Sequence, residues 1–185
     1  MAATPSTMLP LGTPLPDFKL PDAVTAKTVS PAGLEGKAGV LVMFICNHCP
    51  YVVHIREQLV ATAHEALAQG FSVVAINSNS AKSHPQDGPA NMKELATREQ
   101  WRFPFAFDES QDVARAFKAA CTPDLFLFDA QRRLAYRGQF DESRPNNGKP
   151  VTGRDLRDAL ATVAKGEAPP AEQKASIGCN IKWHT

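Results

Sequence analysis

Gly39-Val40-Leu41-Val42-Met43-Phe44-Ile45-Cys46-Asn47-His48-Cys49-Pro50 decides the fold. Its first seven residues are an unbroken apolar run of strand length, which fits a strand covered on both faces. Cys46-Asn47-His48-Cys49 follows at once. Beyond it, Val52, Ile55, Leu59, Ala63 and Ala66 recur at helical spacing, so a helix is expected from about Pro50 to Gln69. Pro50 suits its first turn and Gly70 its end. Phe71–Asn77 reads as a second central strand. Strand, helix and strand in so short a span make a βαβ unit, which sets the two strands parallel.

Outward from this unit the elements are less marked. Residues 1–16, rich in Pro, Thr and Gly, read as a loosely held arm. Short strands are expected at Asp17–Leu20 and Thr25–Val29, with a turn at Leu34–Lys37. Residues 78–90 read as a polar loop, Asn91–Gln100 and Gln111–Ala119 as helices, and Phe103–Phe107 as a short extended segment. Asp124–Phe128 and Leu134–Arg137 read as a hairpin pair. Thr152 is expected to cap a last helix through about Ala164, ended by Gly166. The domain then covers 17–166 and a tail covers 167–185. The architecture expected is α/β, a central mixed sheet flanked by helices.

The chain has 185 residues, 43% of them hydrophobic, which suits one domain with extensions. With 20 basic and 19 acidic residues, its charge gives no reason to expect nucleic acid or an anionic membrane as partner. The first twenty residues lack the charged and apolar regions of a signal peptide, and no stretch approaches the roughly 18 apolar residues of a membrane span. A cytoplasmic location is the default expectation. In such a reducing compartment the four cysteines, Cys46, Cys49, Cys121 and Cys179, are poor candidates for a structural disulfide framework.

Cys-x-x-Cys where a strand runs into a helix has a physical logic. The thiolate is the nucleophile, and a helix N-terminus favours an anion. Cys46 is therefore expected to have a lowered pKa, and Cys49 to resolve a mixed disulfide formed on it. A charged His48 would stabilise the thiolate further and make the pair more oxidising. A structural zinc site needs a second ligand pair that the sequence lacks. A metal-binding or copper-chaperone-like module using Cys46, Cys49 and a histidine stays open as a non-enzymatic alternative. No cofactor is expected.

Phe44–Val52, together with Cys121-Thr122-Pro123-Asp124 before a strand, resembles the thioredoxin superfamily. Tyr136–Asp141, Ser143-Arg144-Pro145 and the tail Ser176–Trp183 resemble more closely its peroxiredoxin-like branch, related to alkyl hydroperoxide reductase and thiol-specific antioxidant proteins. The resemblance runs from about residue 15 to the end. It implies a thioredoxin fold with a cis Pro123 facing the cysteines. Thr122 and Pro123 would then present backbone to an extended thiol partner. It also implies thiol–disulfide exchange with protein or small-molecule thiols and disulfides, a thioredoxin-type reductant among them.

Two departures qualify this. Thioredoxins carry a buried acid six residues before the first cysteine, where this chain has Val40. If Cys49 took a peroxidatic position, Val42 and Cys46 would fill the Pro and Thr places of the peroxidase triad, so that triad is absent; peroxide reduction stays an alternative. The long separation of Cys46 from Pro123 implies an insertion around residues 78–107. Cys121 is either a small buried residue or an auxiliary thiol near the site, and Cys179 either a third redox partner or an inert thiol. Asp141, Arg137 and Arg144 form an ion-pair network or help stabilise a thiolate. Trp101 and Trp183 are expected to pack, and His54, His64 and His84 have no evident partner in sequence.

Overall fold

A computed structural model describes residues 3–184. The first two residues of the expected arm and the last of the expected tail lie outside the described residues. In chain order the elements are β1 (Ala3–Pro5), β2 (Leu20–Pro21), β3 (Thr28–Val29), β4 (Gly39–Phe44), α1 (Pro50–Ala68), β5 (Phe71–Asn77), α2 (Pro89–Arg98) and β6 (Phe105–Phe107). They continue with α3 (Asp112–Ala116), β7 (Cys121–Thr122), β8 (Asp124–Phe128), β9 (Leu134–Arg137), α4 (Arg154–Ala164) and β10 (Ile177–Asn180).

The central sheet has the order β6-β5-β4-β8-β9. β4 runs parallel to β5, as the βαβ reading predicts, and antiparallel to β8, so the sheet is mixed, as the expected architecture has it. Every residue of β4 is buried because both its faces are covered. Leu41, Met43, Leu125 and Leu127 face α1, α2 and α4. Val40, Val42, Phe44, Phe126 and Phe128 face α3 and the N-terminal segment. Phe117, just past α3, anchors that second face against Phe18, Phe44, Phe126 and Phe128. This is the thioredoxin fold. Among the described residues no helix is long and apolar enough to cross a membrane.

Several local expectations are corrected. The arm is not loose among its described residues. β1 pairs with β10, Leu9 is buried and Pro14 bridges to Arg133, so arm and tail are tied to the domain and to each other. The two strands expected near residues 17–29 shrink to the β2–β3 pair. Helix α2 starts at Pro89, two residues before Asn91, and α3 is shorter than its pattern suggests. The Thr152 hydroxyl accepts the N–H of Arg154, the first residue of α4, at 3.3 Å, but the cap position falls one residue later. Gly153 is the cap residue, at φ 65°, with the Phe140 ring where a Cβ would lie. The carboxylate of Asp141 accepts the Thr152 and Gly153 N–H groups, both at 2.6 Å. The connection from β5 to β6 holds α2 and a short 3₁₀ turn at Pro85–Asp87, and this turn reaches the cysteines.

Asp124 in β8 is 1% exposed, and its Oδ1 has no hydrogen-bond partner among the described residues. It pairs in register with Phe44, so it lies on the sheet face of Phe126 and Phe128, away from α1. Burial pushes its carboxyl up to about 7. The folded state therefore binds a proton that the unfolded chain releases near pH 4. Stability from this site is full below that point and is lost as pH rises towards about 7, by up to about 1.4 kcal/mol per pH unit. Asp124→Asn is expected to remove that slope and to be more stable than the parent at pH 8. Denaturant midpoints against pH for both proteins check this; parallel curves would exclude it.

Candidate active site

Cys46 leaves the end of β4 and Cys49 caps α1, whose first residue is Pro50. Opposite them stands the Thr122–Pro123 peptide, which is cis, between β7 and β8. The Thr122 carbonyl accepts from the Cys49 thiol at 3.1 Å, and the Thr122 hydroxyl lies 3.5 Å from Cys46 Sγ. The expected residues Cys46, Cys49, Thr122 and Pro123 are thus brought together. All four cysteines are free thiols, and all are buried.

The charge distribution differs from the expectation for Cys46. The helix begins after Cys49, so Cys49 rather than Cys46 holds the N-terminal position. The hydrogen bond with Cys49, burial and the negative charge of Asp87 push the Cys46 thiol up. Cys49 ionises first. Its hydrogen bond from Cys46 is the main cause, helped against burial by Thr122, Cys179 and the Val52 N–H. The Thr122 carbonyl is the contact that favours its thiol form.

His48 does reach Cys46, with Nδ1 at 3.9 Å from Sγ, but the same nitrogen makes a 2.6 Å hydrogen bond to Asp87 Oδ2. A proton on Nδ1 therefore points to Asp87. The expected lowering of Cys46 by a free imidazolium is not realised, since the charge acting on Cys46 is that of Asp87. Asp87 is fully buried. Its Oδ1 accepts the Asn47 N–H at 2.9 Å, and its Oδ2 also accepts from Asn79 at 2.8 Å. The ring of His84 stacks on His48 at 5.0 Å. Sequence spacing did not signal Asp87, because its loop reads as ordinary polar chain.

Asp87→Asn keeps the size of the side chain and removes the charge. It is expected to lower the Cys46 pKa, read from ultraviolet thiolate absorbance against pH. It is also expected to cost about 2 kcal/mol, because charge-assisted hydrogen bonds at a buried site are lost. An unchanged thiol titration would show that Asp87 does not act on Cys46.

The docking edge is also corrected. Thr122 does not offer free backbone, because β10 pairs along β7 with Cys179 opposite Thr122 and Asn180 opposite Cys121. A Cβ on Gly178 would meet the Thr122 carbonyl oxygen at 1.9 Å, so only glycine lets β10 lie this close. Cys121 Sγ turns to the Pro123 carbonyl at 3.5 Å, and burial keeps its thiol protonated.

The remaining candidates are engaged elsewhere. Arg137 donates to Leu9 and Gln173, and Arg144 to Asp141, Ser143 and Gln139 carbonyls, so neither serves a thiolate. Trp101 stacks on Phe103, and Arg115 lies over Trp183. His54 bonds Ser143, and His64 accepts the Arg102 N–H. For a metal ion, Cys46, His48 and Asp87 bring S, N and O ligand atoms within 4.8 Å of one another.

The redoxin family model matches residues 10–155. The chain belongs to the redoxin family. Within the thioredoxin superfamily this is the peroxiredoxin-like branch, and it carries a thioredoxin-like redox function. Two solved structures are similar along nearly the whole redoxin chain. An uncharacterized conserved protein from Geobacillus kaustophilus is 47% identical, with TM-score 0.97, covering 100% of this chain and 97% of its own. A hypothetical protein from Sinorhizobium meliloti is 48% identical, with TM-score 0.95, covering 98% of each chain. The thioredoxin domain of a thiol-disulfide oxidoreductase from Bacteroides vulgatus shares the fold at 16% identity. Its TM-score is 0.61, covering 82% of this chain and 99% of its own. No curated protein matches the redoxin chain.

Proposed function

We propose that this redoxin is a thiol–disulfide oxidoreductase working through a reversible Cys46–Cys49 disulfide. The observation that carries the reading is that both thiols converge on the cis Thr122–Pro123 peptide, Cys49 on the Thr122 carbonyl and Cys46 on the Thr122 hydroxyl. Cys46 attacks the disulfide of a protein or small-molecule partner. As it does, its proton passes along the hydrogen bond to Cys49, which supplies the acceptor that Val40 cannot. One partner sulfur leaves as thiolate. Cys49 gives that proton to the departed thiolate and attacks Cys46 Sγ, and the second partner sulfur leaves as thiolate. The partner disulfide is reduced and the Cys46–Cys49 pair is oxidised; in reverse, a partner dithiol is oxidised. His48, held by Asp87, positions the turn over Cys46. Thr122 and Pro123 form the wall that a partner meets once the β10 edge yields.

The test is to oxidise the protein with a small disulfide, quench with acid, alkylate and map peptides. Trypsin releases Ala38–Arg56 with both cysteines, and an internal disulfide in this peptide is expected. If both stay alkylatable while other cysteines pair, the proposal is wrong. The Cys46–His48–Asp87 cluster favours a second reading, a metal-binding module. Metal analysis of protein purified without added metal decides it. One ion per chain, lost in Cys46→Ser, would replace the main reading.

A further inference from the structure

The side chain that the exchange reaction leaves unused, although it touches the reacting pair, is Cys179. It is 3% exposed and lies in the same apolar cluster as Cys46, Cys49 and Val52. Its position is fixed from three directions. Its backbone faces Ala3 of β1 on one side and Thr122 of β7 on the other. Gly178 beside it holds the strand against the Thr122 carbonyl, the same carbonyl that takes the Cys49 thiol. Its side chain packs in the cluster that holds Cys49, and the two thiols shift each other's ionisation. Cys49 therefore sits between two thiols, Cys46 from the end of β4 and Cys179 from the C-terminal strand.

We propose that Cys179 is a third exchanging thiol, which takes the disulfide over from Cys46 by attacking Cys49. This rests on the Cys46–Cys49 reading above. The step is an internal exchange. The Cys179 sulfur attacks Cys49 Sγ, the Cys49–Cys179 bond forms and the Cys46–Cys49 bond breaks. Cys46 leaves as thiolate and takes the proton that Cys179 gives up. Cys179 is oxidised, Cys46 is reduced, and no outside reagent is consumed. Cys46 is then free to meet a second partner while the oxidising equivalent is held between α1 and β10.

The experiment uses the full chain, oxidised with a small disulfide, acid-quenched, alkylated and digested with trypsin. In the parent protein a cross-link of Ala38–Arg56 to Ala175–Lys182 is expected beside the internal disulfide. In Cys46→Ala the cross-link should become the main oxidised form. In Cys179→Ala only the internal Cys46–Cys49 disulfide should remain. If Cys46→Ala gives only a mixed disulfide with the probe and an alkylatable Cys179, and the parent shows no cross-link, the third-thiol role is overturned. The exchange reading still stands if Cys179→Ala forms its internal disulfide, and falls if it does not. The parent digest decides even where a variant fails to fold.

Discussion

Replacing Cys46 or Cys49 by serine is expected to lower thiol–disulfide exchange by at least about a thousandfold, because a hydroxyl at neutral pH is neither a thiolate nor a leaving group for sulfur. The two variants should fail in different ways. Cys49→Ser keeps the attacking sulfur and loses the resolving one, so it should accumulate a mixed disulfide on Cys46. Cys46→Ser should accumulate none there. Both substitutions are near-isosteric, and buried Asp87 beside Cys46 keeps its bonds from Asn47, His48 and Asn79, so the folded state should persist. Stopped-flow kinetics with a small disulfide, with mass spectrometry of the trapped species, checks both halves. Mixed disulfide trapped on Cys49 in Cys46→Ser, at the parent rate, would reverse the roles. That outcome has a physical basis to test, since Cys49 is the thiol that ionises first.

Phe117→Ala is expected to cost about 3–5 kcal/mol, the range for a buried Phe truncated to Ala. The ring is fully buried and meets four others, at centroid distances of 6.3, 5.2, 5.5 and 6.0 Å from Phe18, Phe44, Phe126 and Phe128. These partners come from β4, β8 and the N-terminal segment, which cannot all shift to fill the space. For a chain of this size the melting temperature should fall by roughly 10 °C. The cavity lies on the sheet face away from Cys49, so exchange per folded molecule should be unchanged. A loss below about 1 kcal/mol would mean that the face repacks freely. A parallel loss of exchange activity would mean that the two faces are coupled.

The parts of the fold legible in sequence are those dictated by pattern over a short range. The β4–α1–β5 unit is read correctly because an apolar strand, Pro50 and a 3.6-residue period agree over residues 39–77. The pairing of β8 with β9 follows from local alternation. The site was half legible. Cys46 and Cys49 announce themselves by spacing, and Pro123 came through family resemblance. Asp87 did not, because it is brought to His48 by a loop whose course depends on tertiary packing. The N- and C-terminal strands did not either. Ala3–Pro5 and Ile177–Asn180 are too short to carry a period, and they pair across nearly the whole length of the chain. Two errors share one cause. The sequence places the cap of α4 at Thr152 and the benefit of the α1 N-terminus at Cys46, and both depend on where a helix begins, which backbone geometry settles to within a residue and composition does not.

The burial of all four thiols also changes what a cysteine reagent reports. A bulky alkylating agent applied to the native protein cannot meet Cys49 or Cys121, each 0% exposed, until the structure around it opens. Its rate then measures the free energy of that opening, in the way that amide hydrogen exchange does, and not the nucleophilicity of the sulfur. Cys179 would report the lifting of the strand shared by both ends of the chain, and Cys121 a larger disruption of the sheet edge beneath it. The four sulfurs are thus a ready set of probes for which parts of the molecule breathe first, and a partner that reaches Cys46 must draw on the same openings.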